Sequence, residues 1–341
     1  MAVSSGVGPH RAWINVNGSM FPVEKGTAHR TATKKSGTFS GTIPFNYPGA
    51  RSTLANLDDN ESSVVVMTRG QTATLISGEI DNVSIDYIGG TIEVSGRDAS
   101  AKLHDQKTGE KWVNKKPSEI IQDLAGRVGL GVSFDNEIAL KMQRKMKDDY
   151  TKLTDNISYA MVVHKLSEFM GAHWFVKDGT LHVVSGSSQG SGYSISISVD
   201  GQGHIVSDAL SLTVKRNVQA GKPIKVTTKS WHQREEKIFK GEHQTGGSGT
   251  AKEYVYHLPN LTQDHVDQHA KGKAKDHKRH EIEISVECVG DTSIDISGPL
   301  NLSGSDFDGS YTIDAIEDSF GDEGHTMTIT AKGPKGGGGS E

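Results

Sequence analysis

Two short segments near the end of the first strand-rich region carry a clear β pattern: Ile80-Asp81-Asn82-Val83 and, after a short connection, Thr91-Ile92-Glu93-Val94. Apolar and polar residues alternate in both, which is the two-residue period of a half-buried strand. Gly89-Gly90 lies in the connection and suits the tight turn of a hairpin. The two segments therefore predict an antiparallel β-hairpin with one face on a core.

The same pattern occurs again near the C-terminus, as Ile313-Asp314-Ala315-Ile316 and Thr326-Met327-Thr328-Ile329, with a connection two residues longer. Alternation alone reproduces half of this match, so chance similarity of two amphipathic hairpins is one explanation. The other explanation is a duplicated β domain. Duplication would matter for assembly, because three copies of a two-domain chain present six similar domains around one axis and can dock on a sixfold ring.

The composition favours a β-rich protein and bears on several function classes. The chain has 341 residues, enough for two or three domains, and its 40 glycines exceed the average share of about 7%. The single cysteine, Cys288, excludes an internal disulfide framework and fits a reducing cytoplasm. Residues 1–8 lack the features of a signal peptide, and no stretch approaches ~18 consecutive apolar residues. We therefore expect a soluble protein without membrane insertion.

The charge distribution argues against nucleic-acid binding. The net charge is −5 and the isoelectric point is near 6.3. From Glu281 to Glu341 there are thirteen Asp and Glu residues against two lysines, a net −11 for that stretch. Because such a surface repels phosphate, we expect no sequence-specific contact with nucleic acid.

The periodicity changes along the chain. Strand-like alternation covers residues 10–98, and helical spacing replaces it between about 110 and 184. Pro117 is placed to open one helix, and a second helix starts near Ser158 and stops at Gly171. A hairpin with the turn Lys177-Asp178-Gly179 follows. This region is predicted to be a small α/β module.

A Ser/Gly-rich segment separates this module from further strands. Ile195, Ile197 and Val199 alternate with serines inside it, so part of it can be an edge strand instead of a free linker. Thr262 can cap a helix running to about Arg279. The glycine-rich C-terminal end is expected to be a disordered tail.

Several motifs, in the right order, resemble the tail hub proteins of contractile bacteriophages related to the late control D protein. The signature "G-E-I-D-x-V … V-x-G-R-D-x-S" is matched by Ser77 to Val83 and Ile92 to Ser100. The family's two helices and the close of its second barrel are resembled by Lys116 to Leu130, Leu166 to Phe175, Phe307 to Ile313 and Gly324 to Met327. The resemblance covers most of residues 10 to 333.

The resemblance implies an α+β, β-rich chain in which two tube-like β-barrel domains flank a small α/β insertion domain. The expected boundaries are residues 1–108 for the first barrel, 109–185 for the insertion, 186–204 for the connector, 205–334 for the second barrel with one helix at about 262–279, and 335–341 for the tail.

The resemblance also implies a non-enzymatic role in the virion, without a cofactor, for a protein assembled in the bacterial cytoplasm. A homotrimer with pseudo-sixfold symmetry would join the hexameric tail tube to the trimeric central spike, touching tape measure and baseplate wedge proteins. The trimer would form part of the DNA channel, and we hypothesise that acidic residues including Asp306, Asp314 and Asp318 line it. The motif residues expected at interfaces or in structural roles are Glu79, Asp81, Arg97, Asp98, Tyr311 and Thr326.

Three alternatives remain open at the level of sequence. A tail-associated peptidoglycan hydrolase would need two carboxylates in a cleft, and the pairs Glu79/Asp81 and Asp306/Asp308 are candidates. The hub of a phage-like bacteriocin or secretion machine is the second alternative. A metal site at His265 and His269 is the third, because their i, i+4 spacing puts two imidazoles on one helix face. Five basic residues on that helix oppose a cation and favour a solvated or interface-facing helix instead.

Overall fold

The computed structural model describes residues 11–32, 35–58, 60–68, 71–142, 156–185, 191–232, 235–321 and 324–337. The strands are β1 Arg11–Val16, β2 Ser19–Pro22, β3 Lys25–Thr31, β4 Thr38–Pro44, β5 Ser62–Thr68, β6 Gln71–Asp86, β7 Thr91–Asp98, β8 Lys107–Thr108, β9 Gly131–Phe134, β10 Ile157–Ser158, β11 Ala172–Lys177, β12 Thr180–Ser185, β13 Tyr193–Val199, β14 Ile205–Ser207, β15 Ser211–Arg216, β16 Ile224–His232, β17 Lys237–Gln244, β18 Lys252–His257, β19 Ile282–Val289, β20 Pro299–Ser303, β21 Gly309–Gly321 and β22 Gly324–Gly333. The helices are α1 Ala50–Ala55, α2 Ala101–Asp105, α3 Pro117–Arg127, α4 Asn136–Lys141, α5 Tyr159–Phe169 and α6 Gln263–Arg279.

Seven strands in each half of the chain pair in the same pattern. In the first unit, β1 to β7, the strand path is β2-β1-β5-β6-β7-β4-β3. In the second unit, β13 to β15 and β19 to β22, the path is β14-β13-β20-β21-β22-β19-β15. Strand for strand in chain order, the pairings coincide. They differ in one direction, since β13 and β20 are parallel where β1 and β5 are antiparallel.

The two units form one sheet of 14 strands. They are joined where β3 of the first unit pairs antiparallel with β21 of the second. Each unit keeps its own core, around Ile14, Phe39 and Ile92 in the first and around Ile313 and Ile329 in the second. The expected β-rich class is confirmed. Among the described residues neither path has its end strands paired with each other, so two closed barrels are not confirmed.

A segment of mixed helices and strands lies between the two units along the chain. Strands β11 and β12 form an antiparallel hairpin, and β9 adds to β12 in parallel. Helix α3 begins at Pro117, and Ser158 is the N-cap of helix α5. The Ser158 hydroxyl accepts a hydrogen bond from the Met161 amide at 3.3 Å, which caps α5. Gly129 and Gly171 follow these helices with φ of 76° and 71°, the left-handed conformation that ends a helix without strain.

A second excursion interrupts the second unit between β15 and β19. Strands β17, β16 and β18 form a three-stranded sheet, and α6 packs on it and against α5. The sequence predicts α6, including its start after Thr262. Leu261 and Val266 at this start both lie in the core of the α/β insertion. The excursion therefore extends the insertion instead of the β unit that contains it in sequence.

Two segments are more ordered than a free linker and a disordered tail would be. The Ser/Gly-rich connector contains β13, which pairs with both β14 and β20, so the possible strand is realised. Residues 186–190 of the connector lie outside the described residues. The tail is ordered at its start, where the Lys335 amide donates to Glu281 Oε2 at 3.3 Å. Residues 338–341 lie outside the described residues.

Candidate assembly surface

The two hairpins of the sequence echo share an irregularity. The β6–β7 hairpin has a β-bulge at Asp81, and the β21–β22 hairpin has one at Asp314. These aspartates hold corresponding positions in the echo. A bulge inserts one residue and breaks the ladder locally, so alternation of apolar residues alone does not produce it at the same place twice. The shared bulge and the shared strand pairings favour duplication over chance.

Each bulge aspartate binds basic side chains. Arg97 Nε and Nη2 donate to the two carboxylate oxygens of Asp81 at 2.7 and 2.9 Å. Asp314 is paired with Arg279 of α6, and Lys332 Nζ lies 3.5 Å from its Oδ2. Lys332 stands in β22 where Arg97 stands in β7. The duplication therefore extends to the basic partner of the bulge.

The motif residues Glu79 and Arg97 belong to surface ion pairs. Glu79 is 2.9 Å from Lys102 Nζ, and Arg97 reaches Asp105 Oδ1 of α2 at 3.1 Å as well as Asp81. The surrounding carboxylates raise the pKa of Arg97. Both carboxylates of the Glu79/Asp81 pair thus have cationic partners, as a structural role predicts and a hydrolase dyad does not require.

Asp98 ties the end of β7 to two neighbouring segments. Its carboxylate accepts from the Gly37 amide at 2.8 Å and from the Ser100 amide at 3.0 Å. The Ser100 hydroxyl donates to it at 2.5 Å. Burial raises the pKa of Asp98, and these hydrogen bonds oppose that rise. This geometry is a capping arrangement at a strand end.

The C-terminal motif residues also have local structural contacts. The Tyr311 hydroxyl donates to the Phe307 carbonyl at 2.7 Å, which holds the loop before β21. Asp308 accepts from the Ser305 amide at 2.6 Å, as expected for a turn-forming aspartate. Thr326 lies in β22 opposite Val289.

The hypothesis that Asp306, Asp314 and Asp318 line a channel is wrong for two of the three. Asp314 and Asp318 are 4% and 0% exposed. Both are buried against basic partners, so neither carboxylate presents its charge to a passing polyanion. Asp306 is exposed. The acidic total of this segment therefore overstates the charge at its surface.

An ion-pair network lies at the junction of the two units. Arg30 of β3 donates through Nε and Nη2 to Asp318 Oδ2 of β21 at 3.1 and 2.9 Å. His325 Nε2 lies 2.8 Å from the other carboxylate oxygen, Oδ1. Arg30 also donates through Nη1 to the Ile294 carbonyl at 3.0 Å. No local sequence pattern predicts this network, because 288 residues separate Arg30 from Asp318.

The two histidines of α6 that the sequence offers as metal ligands point inward. His265 and His269 are 6% and 4% exposed. His269 Nδ1 lies 2.9 Å from Thr228 Oγ1 of β16, and His265 Nδ1 lies 3.1 Å from Thr262 Oγ1. This face of the helix, which the sequence suggested would be solvated or interface-facing, packs on the three-stranded sheet and α5 of the same chain. In the described ranges no group of three or more His, Cys, Asp and Glu side chains is placed to hold a metal ion.

Several strands have one open edge in the described part of the chain, and two of these edges belong to β15 and β6. Strand β15 pairs only with β19, and the end of β6 from Asn82 pairs only with β7. Large apolar side chains are exposed beside both edges. Tyr87 and Ile88 are 66% and 100% exposed after β6, and Leu210 is 62% exposed before β15. Unpaired edges of this kind are available for pairing with another chain. Alternation in the sequence predicts such strands but not which edges remain open.

No helix among the described residues is both long and apolar enough to cross a membrane.

Comparisons with known proteins place the fold. None of the protein-family models compared with the sequence matches it, and none of the curated proteins is significantly similar. Among solved structures, a tail protein from Neisseria meningitidis superposes with a TM-score of 0.72 at 12% identity, covering 97% of this chain and 100% of that one. The 43 kDa tail protein of prophage MuSo2 from Shewanella oneidensis gives 0.68 at 15% identity, covering 96% and 99%.

A protein from a different kind of machine has the same fold. An Escherichia coli component of the type VI secretion system superposes with a TM-score of 0.54 at 10% identity, covering 94% of this chain and 76% of that one. That protein is described as structurally similar to tail proteins of bacteriophage T4. The chain thus has the phage tail protein fold over nearly its whole length, as the motif resemblance predicts.

Proposed function

We propose that the chain is a non-enzymatic structural subunit of a bacteriophage tail, the hub of a contractile baseplate, and that it acts as a homotrimer. The observation that carries this proposal is the duplication of a seven-strand unit whose copies are joined edge to edge by β3 and β21. Three such chains arrange six similar units around one axis. The two tube-like barrels of the resemblance would be completed in that ring.

Symmetry adaptation is the proposed mechanism. A hexameric tail tube contacts six equivalent positions, and the six units of the trimer would meet it one to one. A trimeric central spike contacts three, which the threefold axis of the same ring provides. The two units are similar in topology but differ in their loops and insertions, so one face of the ring can be nearly sixfold while the other is threefold.

The remaining parts have proposed places in this assembly. The α/β insertion, enlarged by α6 and β16 to β18, would project outward toward wedge proteins or stabilise the trimer. The ring would enclose the DNA channel, with the tape measure protein contacting it during assembly in the bacterial cytoplasm. Glu79, Asp81, Arg97, Asp98, Tyr311 and Thr326 would shape the hairpins at the unit ends instead of carrying chemistry.

A phage-like secretion or bacteriocin machine is the second candidate. It is supported by the similarity to the type VI secretion component, because the same fold serves there. The two candidates share the hub mechanism and differ in the tube and spike that the hub joins.

Native mass spectrometry tests the proposal. The chain alone is 36.6 kDa, and we expect an assembly of three chains that binds the tube protein of the same gene cluster in a ratio of three to six. A monomer or dimer at all concentrations, with no binding to the tube protein, would contradict a hub. A clearing zone on host cell walls in a zymogram would contradict the non-enzymatic assignment.

A further inference from the structure

The two units meet at one junction within the chain, and the duplication gives each strand of that junction a counterpart in the other unit. Within the chain, β3 pairs with Ala315–Phe320 of β21. By chain order and pairing pattern, the counterpart of β3 is β15, and the counterpart of β21 is β6. Both counterparts have an open edge in the described part of the chain.

We infer that β15 of one copy pairs antiparallel with the end of β6 in the next copy, so that the joint between chains repeats the joint within a chain. The inference rests on the proposed trimer and names the surface that closes it. Each chain offers one edge of each kind, which makes the contact head-to-tail, and a head-to-tail contact closes into a ring when the rotation fits.

The duplication also fixes the register of this pairing. The hairpin alignment puts Val83 at the position of Ile316, because each stands two residues after its bulge. Following the ladder through β7 and β4, and through β22 and β19, puts Arg216 at the position of Arg30. Ile316 pairs with Arg30 within the chain. Val83 of one copy is therefore expected opposite Arg216 of the next.

This register places apolar side chains opposite apolar ones and exposed polar side chains opposite exposed polar ones. It places Ile85 opposite Val214, and both are half-buried residues packed against their own unit's core. The next pair on the other face is Ser84 opposite Lys215, and both of these side chains are exposed. Because the side-chain period is two, a slip of one residue would set each apolar residue against a polar one.

Exposed apolar residues near the two edges fit the same junction. Ile88, which is 100% exposed, follows β6, and Leu210, which is 62% exposed, precedes β15. The register brings Ile88 opposite Ser211, beside Leu210. Val218, at the other end of β15, is also 62% exposed. Pairing would shield these side chains and supply partners to two rows of backbone groups that otherwise form aggregation-prone edges.

A pair of cysteines tests the register in the full chain. Ser84→Cys with Lys215→Cys joins directly opposed positions, and mild oxidation is expected to give covalent dimers and trimers. The matched control is Ser84→Cys with Ser211→Cys, whose second cysteine lies on the same face of β15 but about 13 Å along the strand. That separation exceeds the Cα distance of about 7 Å that a disulfide spans. The native Cys288 is 1% exposed and serves as background in both variants.

Three outcomes decide between the inferences. Cross-linking of the opposed pair alone supports the junction. A trimer by native mass in which the opposed pair cross-links no better than the control overturns the junction and leaves the proposed hub standing. A chain that stays monomeric by native mass overturns both.

A charge exchange provides a second test that needs no oxidation. Ser84→Lys places a lysine opposite Lys215, and we expect the trimer to dissociate at about fivefold higher concentration for each junction affected. Adding Lys215→Glu to Ser84→Lys should restore assembly. Lys215→Glu alone should strengthen the wild-type trimer by no more than it strengthens the Ser84→Lys variant. Equal dissociation of the single and double variants would overturn the register.

Discussion

Asp81 and Asp314 occupy the same bulge in the two copies of one hairpin, yet only Asp314 is buried. The Asp81 side chain is 32% exposed and that of Asp314 is 6% exposed. The difference comes from α6, which is inserted in the second unit alone and brings Arg279 onto Asp314. The two units thus share the same strand pairing and bulge, whereas the insertion of α6 changes the environment of Asp314.

This difference predicts unequal costs for the same substitution. Asp314→Ala leaves the largely buried Arg279 without its carboxylate partner. We therefore expect a loss of about 3 kcal/mol in the free energy of unfolding. Asp81→Ala removes a partly exposed ion pair and should cost less than about 1 kcal/mol. Denaturant unfolding of both variants provides the measurement. Equal losses would contradict the burial of the second aspartate.

The junction network predicts a strong effect at Arg30. Arg30→Met leaves the fully buried Asp318 without its guanidinium and should destabilise the chain by about 3–5 kcal/mol. In the double variant with Asp318→Leu no buried charge is left unpaired, so most of that loss should be recovered. Thermal and denaturant unfolding check both. A double variant no more stable than Arg30→Met would show that the network contributes more than charge pairing to joining the units.

Substitution of Gly96 and of Gly126 by alanine is expected to change the stability of the chain in opposite directions. A Cβ at Gly96 of β7 would collide with the Glu79 carbonyl and the Phe39 ring, so Gly96→Ala should cost about 1–3 kcal/mol. A Cβ at Gly126 meets open space in helix α3, so Gly126→Ala should gain up to about 1 kcal/mol. Melting temperatures compare the two directly. Stabilisation by Gly96→Ala would contradict the close strand contact described.

His269 predicts a loss of stability in acid. Burial, and then the charge of Lys273, lower the pKa of His269 to about 4, against about 6.5 in the unfolded chain. The unfolded state therefore binds the extra proton first. The stability that the neutral imidazole contributes is present above pH ~6.5 and is lost as the pH falls toward 4, with a slope of at most about 1.4 kcal/mol per pH unit. His269→Gln should flatten the dependence between pH 7 and 5; an unchanged slope would rule out this histidine as its source.

The sequence predicts local elements well where one signal decides them. Pro117, Ser158 and Thr262 mark the starts of three helices, and Gly129 and Gly171 mark two ends, because caps and left-handed glycines act within a few residues. The twin hairpins are likewise visible, since the alternation is local. The structure adds that the two hairpins share the position of their bulge, which the sequence alone does not indicate.

The long-range features could not be read from the sequence. Whether α6 is solvated depends on which sheet it packs against, and β16 lies more than 30 residues before it. The burial of Asp314 and Asp318 depends on Arg279 and Arg30, which arrive from distant segments. Counting charges along residues 281–341 therefore suggested an acidic lining that those two carboxylates do not provide.

Three copies of the duplicated chain are proposed to form a ring with nearly sixfold geometry, and end-on electron micrographs of the purified assembly measure the symmetry of that ring. We expect averaged rings whose rotational power spectra have strong threefold and sixfold components, with three outward projections from the insertions. Rings with any other order, or particles that contain a single pair of β units, would contradict it.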